Sequence, residues 1–82
     1  MEIKILGSGC AKCVKLYENT VAAARDMGIV ASIEKVTDMA KIASYGVMSM
    51  PALVVDGSVA SMGRVPSREQ IGMLLKAKRS GR

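Results

Sequence analysis

Two residues capable of redox or metal chemistry stand together near the start of the chain. Cys10 and Cys13, the only cysteines, are three positions apart in Gly7-Ser8-Gly9-Cys10-Ala11-Lys12-Cys13. A disulfide between them would close a very short loop, so it would stabilise the fold little; the entropy taken from an unfolded chain grows with loop length. A C-x-x-C pair suits two kinds of chemistry: thiol–disulfide exchange, or ligation of a soft metal such as Cu(I) or Zn. The chain contains no histidine. His-containing zinc sites, Cys-His nucleophile pairs and Ser-His-Asp triads are therefore excluded.

Position favours exchange. Cys10 falls where a strand ends and a helix begins, and there the unpaired N–H groups and the helix dipole favour negative charge. The thiolate is the reactive form, so this setting is expected to draw Cys10 below its free value of about 8.5. A helix terminus contributes up to ~2 kcal/mol, which is roughly one pKa unit. Lys12 adds to the effect. Cys13, one turn further in, is expected to be less exposed. In that division Cys10 attacks a substrate disulfide and Cys13 resolves the mixed disulfide. Gly7 and Gly9 are expected to leave room for a partner chain.

The elements that must hold this pair can be read from periodicity. Glu2–Leu6 alternates charged and apolar residues and predicts a strand, with Ile3 and Ile5 on one side. From about Ala11 to Met27 the pattern becomes helical, with Cys13, Val14, Tyr17, Val21 and Ala24 as the expected inner face, and Gly28 as its stop. Ile29–Val36 predicts a second strand. Thr37-Asp38 caps a short helix to about Ala43, with Met39, Ile42 and Ala43 facing inward. A loop through Gly46–Met50 ends at Pro51. Ala52–Val55 is an apolar strand, Asp56-Gly57 a two-residue hairpin turn, and Val59–Met62 its return. Ser67 and Gln70 form a capping box for a last helix, whose inner residues are Ile71, Met73, Leu74 and Leu75.

The order βαβαββα demands a mixed sheet. A helix between the first two strands makes them parallel, with a right-handed crossover, and the tight turn makes the last two antiparallel. The fold class is therefore α/β: four mixed strands with flanking helices. At 82 residues the chain has room for one modest core. Residues 1–77 are expected to form that single domain and residues 78–82 a short basic tail.

Charge and hydropathy narrow the partners. The net charge is +5, but Lys76, Lys78, Arg79 and Arg82 crowd the last seven residues. Without these four, the basic residues barely outnumber the acidic ones, and with no Phe or Trp there is little on which bases could stack. Nucleic acid is not an expected partner. No apolar run approaches the ~20 residues that span a bilayer, and Met1-Glu2-Ile3-Lys4 does not open a signal peptide. A monomer in a reducing cytoplasm is the expectation, where a working thiol pair is more plausible than a structural disulfide.

The ordered set of a strand, G-x-G-C-x-x-C, a helix, and then Ser49-Met50-Pro51-Ala52-Leu53-Val54-Val55-Asp56-Gly57 resembles the thioredoxin superfamily along nearly the whole chain. The likeness is greatest to small glutaredoxin-sized redox-active disulfide proteins of archaea and bacteria. The resemblance implies a thioredoxin fold and a disulfide oxidoreductase with Cys10 as nucleophile and Cys13 as resolving thiol. It also implies a cis Pro51 facing the cysteines and a Met50 backbone that pairs with an extended substrate. Gly9, Lys12, Met50 and Gly63 are then the substrate-binding residues, Gly63 lying in the turn that corresponds to the one with which glutaredoxins hold glutathione. No bound cofactor is implied, because the Cys10–Cys13 couple stores the electrons. Disulfide-bearing proteins and a reductase or thiol donor are the implied partners.

Gly9 and Ala11-Lys12 depart from the tryptophan and Gly-Pro usual in thioredoxins, and no first-strand carboxylate matches their buried acid. The competing reading is a Cu(I) or Zn carrier using the same two thiolates. Its usual methionine position is Ser8 here, and the element order after the second strand is wrong for the βαββαβ metal-carrier fold.

Overall fold

The computed structural model describes residues 1–7, 9 and 11–81, with the backbone alone for 79–81; Ser8, Cys10 and Arg82 lie outside the described residues. The elements run β1 (Glu2–Leu6), α1 (Ala11–Asp26), β2 (Ser32–Val36), α2 (Met39–Ser44), β3 (Ala52–Val55), β4 (Ser58–Met62) and α3 (Arg68–Gly81). The strands form one sheet in the order β2-β1-β3-β4. β1 pairs parallel with β2 and antiparallel with β3, and β3 pairs antiparallel with β4. The fold class and the strand directions follow the sequence reading.

Every residue of β3 is buried. Its side chains alternate between two apolar layers, which explains an unbroken apolar run. Leu53 and Val55 join Ile3, Ile5, Leu16, Ala23, Ile71 and Leu75 on the side of α1 and α3. Ala52 and Val54 join Leu6, Val36 and Ile42 on the side of α2. The hairpin turn at Asp56-Gly57 has positive φ at both residues, 49° and 85°, as a type I′ turn requires. In the register Val54 faces Val59 and Leu53 faces Ser61, so Ala60 is a bulge on the outer strand.

Several element boundaries and inner faces differ from the sequence reading. β2 begins at Ser32 rather than Ile29 because Gly28 and Ile29 complete the end of α1. Gly28 (φ 65°) donates to Arg25 O at 3.1 Å and Ile29 donates to Ala24 O at 3.0 Å, the paired bonds of a Schellman motif. The inner face of α1 is Cys13, Leu16, Thr20, Ala23 and Ala24, not the expected set; Val14 is largely exposed. Thr20 is tolerated inside because its hydroxyl donates to Leu16 O at 2.7 Å. Met39 and Met73 are 58% and 72% exposed rather than core, and Ala43 is exposed. α3 continues through Lys78 to Gly81, so most of the segment read as a tail is helix.

The caps hold as read. Asp38 Oδ1 accepts from Ala40 N and Lys41 N. Ser67 Oγ accepts from Gln70 N, while Ser67 N donates to Gln70 Oε1. Asn19 Nδ2 on α1 donates to Pro66 O at 3.0 Å, tying the approach to α3 onto α1.

Candidate active site

β1 delivers the chain to the site. Its last residue, Leu6, is fully buried, and Gly7 N continues the sheet by donating to Val36 O at 3.0 Å. The backbone must then turn sharply into α1, and Gly9 does so at φ 86°, in the left-handed region that favours glycine. Cys13 lies in the first turn of α1 and is only 6% exposed.

Gly7 is the residue that makes this burial possible. A Cβ at Gly7 would overlap Cys13 Sγ, and would lie 3.8 Å from Pro51 Cβ. The sulfur of Cys13 therefore rests against the bare backbone of Gly7, with Pro51 also near that backbone. Gly7 was expected to leave room for a partner; it is buried and leaves room for Cys13 instead. Gly9, by contrast, is exposed and has open space where a Cβ would point.

The Met50–Pro51 bond is cis, and Pro51 is buried at the head of β3. Gly63 closes on this loop from the other strand. Its N–H donates to Pro51 O at 3.0 Å, and a Cβ there would stand 3.0 Å from Ser49 Cβ. Gly63 (φ 74°) thus combines a close approach with a left-handed backbone. Three segments distant in sequence, around Gly7-Cys13, Ser49-Pro51 and Gly63, converge on one surface. Met50, just before the cis proline, is 40% exposed, and Met48, two residues earlier, is 92% exposed. Lys12 is exposed on the first turn of α1. Cys10, the expected nucleophile, lies outside the described residues.

A small cavity of about 100 Å³ opens beside Cys13, lined by Gly7, Gly9, Val14, Lys35 and Thr37 among others. Lys35 is anchored on the same side of the sheet, its Nζ 4.6 Å from the centre of the Tyr17 ring, a cation–π contact. Sequence reasoning missed Lys35 and Thr37. The signal available was that β1 and β2 are parallel neighbours, so the C-terminal end of β2 arrives beside the turn after β1. A larger groove of about 610 Å³ lies between β4 and α3, along Met62, Arg64, Met73 and Leu74. Among the described residues, Cys13 lines the smaller cavity and not this groove.

On the opposite side of β1, Lys4 is held above its ordinary value chiefly by a hydrogen bond with Tyr45. Tyr45 was read as a packing residue; it packs against the α2-side cluster and engages Lys4 as well.

Residues 1–76 match the family model described as a thioredoxin domain. The chain belongs to the thioredoxin family. It is 43% identical over 75 residues to a thioredoxin of Methanothermobacter thermautotrophicus, covering 92% of this chain and 97% of that protein. It is 40% identical over 80 residues to a thioredoxin of Methanocaldococcus jannaschii, covering 98% of this chain and 92% of that one. The family is one of thiol–disulfide oxidoreductases, and this chain is a thioredoxin-like member. Among the described residues, no helix is long and apolar enough to cross a membrane.

Proposed function

We propose that the protein reduces disulfides in other proteins through its Cys-Ala-Lys-Cys segment. The observation that carries this reading is the seat of Cys13, whose sulfur lies against Gly7 and near Pro51 at the surface where Ser49 and Gly63 also meet. Cys13 is three positions from Cys10 in the chain and is largely shielded from solvent. That suits a resolving group, which should meet its own mixed disulfide before it meets another protein.

In the proposed reaction the Cys10 thiolate attacks one sulfur of the substrate disulfide. A Cys10–substrate bond forms, the substrate S–S bond breaks, and the departing thiolate takes a proton. Cys13 then loses its proton and attacks the Cys10 sulfur, releasing the second substrate thiol and forming the Cys10–Cys13 disulfide. Two electrons pass to the substrate, and a reductase or thiol donor returns them. No bound cofactor is required. Pro51 and the Met50 backbone border the groove for the substrate segment, with Gly9, Lys12 and Gly63 around it. A reducing cytoplasm is the setting in which such a couple works.

Trapping tests the roles. Cys13→Ser should accumulate mixed disulfides with partner proteins, and Cys10→Ser should not. Equal trapping by both variants would overturn the assignment. A redox titration with thiols counted by alkylation should show one two-electron transition, between about −270 and −200 mV for a cytosolic reductant. Failure to form a Cys10–Cys13 disulfide at any potential would sink the exchange reading altogether.

A further inference from the structure

We propose that the groove between β4 and α3 binds a small amphipathic carboxylic acid, an apolar body with one anionic end, at a site separate from the cysteines. The groove has a volume of about 610 Å³, within the roughly 300–1,000 Å³ of small-molecule sites. β4 is the outer strand of the sheet, so no further strand covers it. Among the described residues, Gly7, Cys13, Met50 and Pro51 line no part of the groove. A ligand there goes beyond the exchange reading and does not depend on it.

Apolar side chains make most of the walls. Val59, Ala60 and Met62 come from β4, and Met73 and Leu74 from α3. Met62 and Met73 are 43% and 72% exposed. Flexible thioethers fit irregular apolar shapes, and covering them removes from water surface that the fold leaves bare. Met73, expected in the core from its helical spacing, thereby gains a role as a wall of the site.

Three polar side chains line the same groove, Ser61, Arg64 and Gln70, and each can donate a hydrogen bond. None of the described lining residues is a carboxylate. Among the described residues the one ion pair joins Arg68 to Asp26, so the exposed Arg64 guanidinium is not paired with an acid. Gln70 uses its Oε1 to accept from Ser67 N, which leaves its NH2 group to donate. Ser61 stands opposite Leu53 and so lies on the α3 side of the sheet. Its buried Oγ has no hydrogen-bond partner. A buried hydroxyl without a partner is destabilising, and turning it about its single χ angle toward an acceptor in the groove would remove that cost. Donors without an acid among them select an anion. Other occupants fit less well. A strand added along β4 would meet the bulge at Ala60, which interrupts the regular ladder. A second copy would bring Arg64 and a net charge of +5 against their like.

The test follows backbone amide resonances of the isotope-labelled full-length protein during titration with octanoate, octylammonium and reduced glutathione. Octanoate should shift the amides of residues 59–64 and 70–74 and saturate, with a Kd of about 5 mM or tighter for a ligand of its size. The amides of Gly7 and Cys13 should stay in place, and octylammonium should not saturate. Arg64→Gln should weaken octanoate roughly tenfold. Ser61→Ala should weaken it about threefold while raising the urea midpoint of the free protein, because an unpartnered buried hydroxyl is removed. Octylammonium binding as tightly as octanoate, or parental affinity in Arg64→Gln, would mean apolar contact without anion recognition and would overturn the acid. Glutathione saturating the same amides as readily would overturn the apolar body. Shifts centred on Gly7 and Cys13 would move the ligand to the cysteine site, and shifts that grow with protein concentration alone would give the groove to a second copy. Either result overturns the proposal, as does a failure to saturate tenfold above the expected Kd. Disulfide exchange is measured apart from binding on the same samples, so its failure would count against the exchange reading alone.

Discussion

At the hairpin end of the sheet, Asp56 N donates to Glu2 O at 2.7 Å and Glu2 N donates to Asp56 Oδ1 at 2.8 Å, extending the ladder past its last strand residue. Nearby elements close just as tightly: α1 finishes in its Schellman pair, and Arg68 grips both oxygens of Asp26. The cysteine end differs. There the chain passes through Gly7, Gly9 and Gly63, and its apolar side chains Met48 and Met50 face outward. One end meets its polar groups with partners inside the chain, Asp56 with the backbone of Glu2 and Asp26 with Arg68. The other leaves apolar surface exposed, which costs stability and leaves something for a substrate to cover.

The comparison predicts that substitutions at the two ends act on different observables. The largest effect is expected at Gly7→Ala, where the new methyl group must displace the Cys13 sulfur. Overpacking of this kind costs about 1–3 kcal/mol. The variant should also slow decay of the mixed disulfide, since Cys13 is no longer seated; denaturant unfolding and mixed-disulfide lifetime measure the two. Unchanged lifetime would show that the seat is structural only. At the opposite end, Asp56→Ala loses the bond from Glu2 and places a Cβ-bearing residue without a local hydrogen bond at positive φ. It should cost about 1–2 kcal/mol with the exchange rate unaltered, and Asp56→Gly should cost less. A fall in rate would mean that the ends are coupled through β3.

Smaller still in stability is the pair Met48→Ser and Met50→Ser. Exposed substitutions of this type usually change stability by no more than about 0.5 kcal/mol. The expected change is in the rate constant for protein disulfides, with attack on a small-molecule disulfide much less affected. Equal loss with both substrates would place the methionines in the chemistry rather than in docking.

How far the sequence discloses this division depends on the range of the interactions. The strands, the I′ turn, the capping box and the parallel-then-antiparallel order are set by local patterns, and all were legible. The inner face of α1 was not, because Val14 and Val21 are more apolar than Thr20 and Ala23. What decides between those faces is where α3 and the sheet lie, and the small residues allow their close approach. Met39 and Met73 misled for the same reason, since an apolar side chain at helical spacing does not reveal that nothing packs over it. At the site, Cys13 and Pro51 were singled out in the sequence and the fold places both beside Gly7, but only the fold shows that Gly7 makes room for Cys13. It likewise took the parallel β1–β2 pairing to bring Lys35 to the cavity.

The smallest expected effect belongs to the Asp26–Arg68 pair and depends on pH. The hydrogen bond from Arg68, with its charge beside the carboxylate, holds Asp26 below its ordinary value of 3.8. A carboxyl group depressed in the folded state contributes stability that is fully present above its unfolded value and lost as pH falls through the folded one. The contribution is therefore intact at neutral pH and disappears below 3.8. Both side chains are about half exposed, 49% for Asp26 and 54% for Arg68, so solvent screens the pair and its effect is small. Asp26→Asn should lower the urea midpoint slightly at about pH 7, and the gap to the parent should narrow as pH falls below 3.8 and the Asp26 carboxylate takes up its proton. A gap that persists in acid would show that the residue acts through packing or helix geometry rather than charge. The exchange rate should not follow the change at either pH, because the pair stands where α1 ends and Cys13 where it begins.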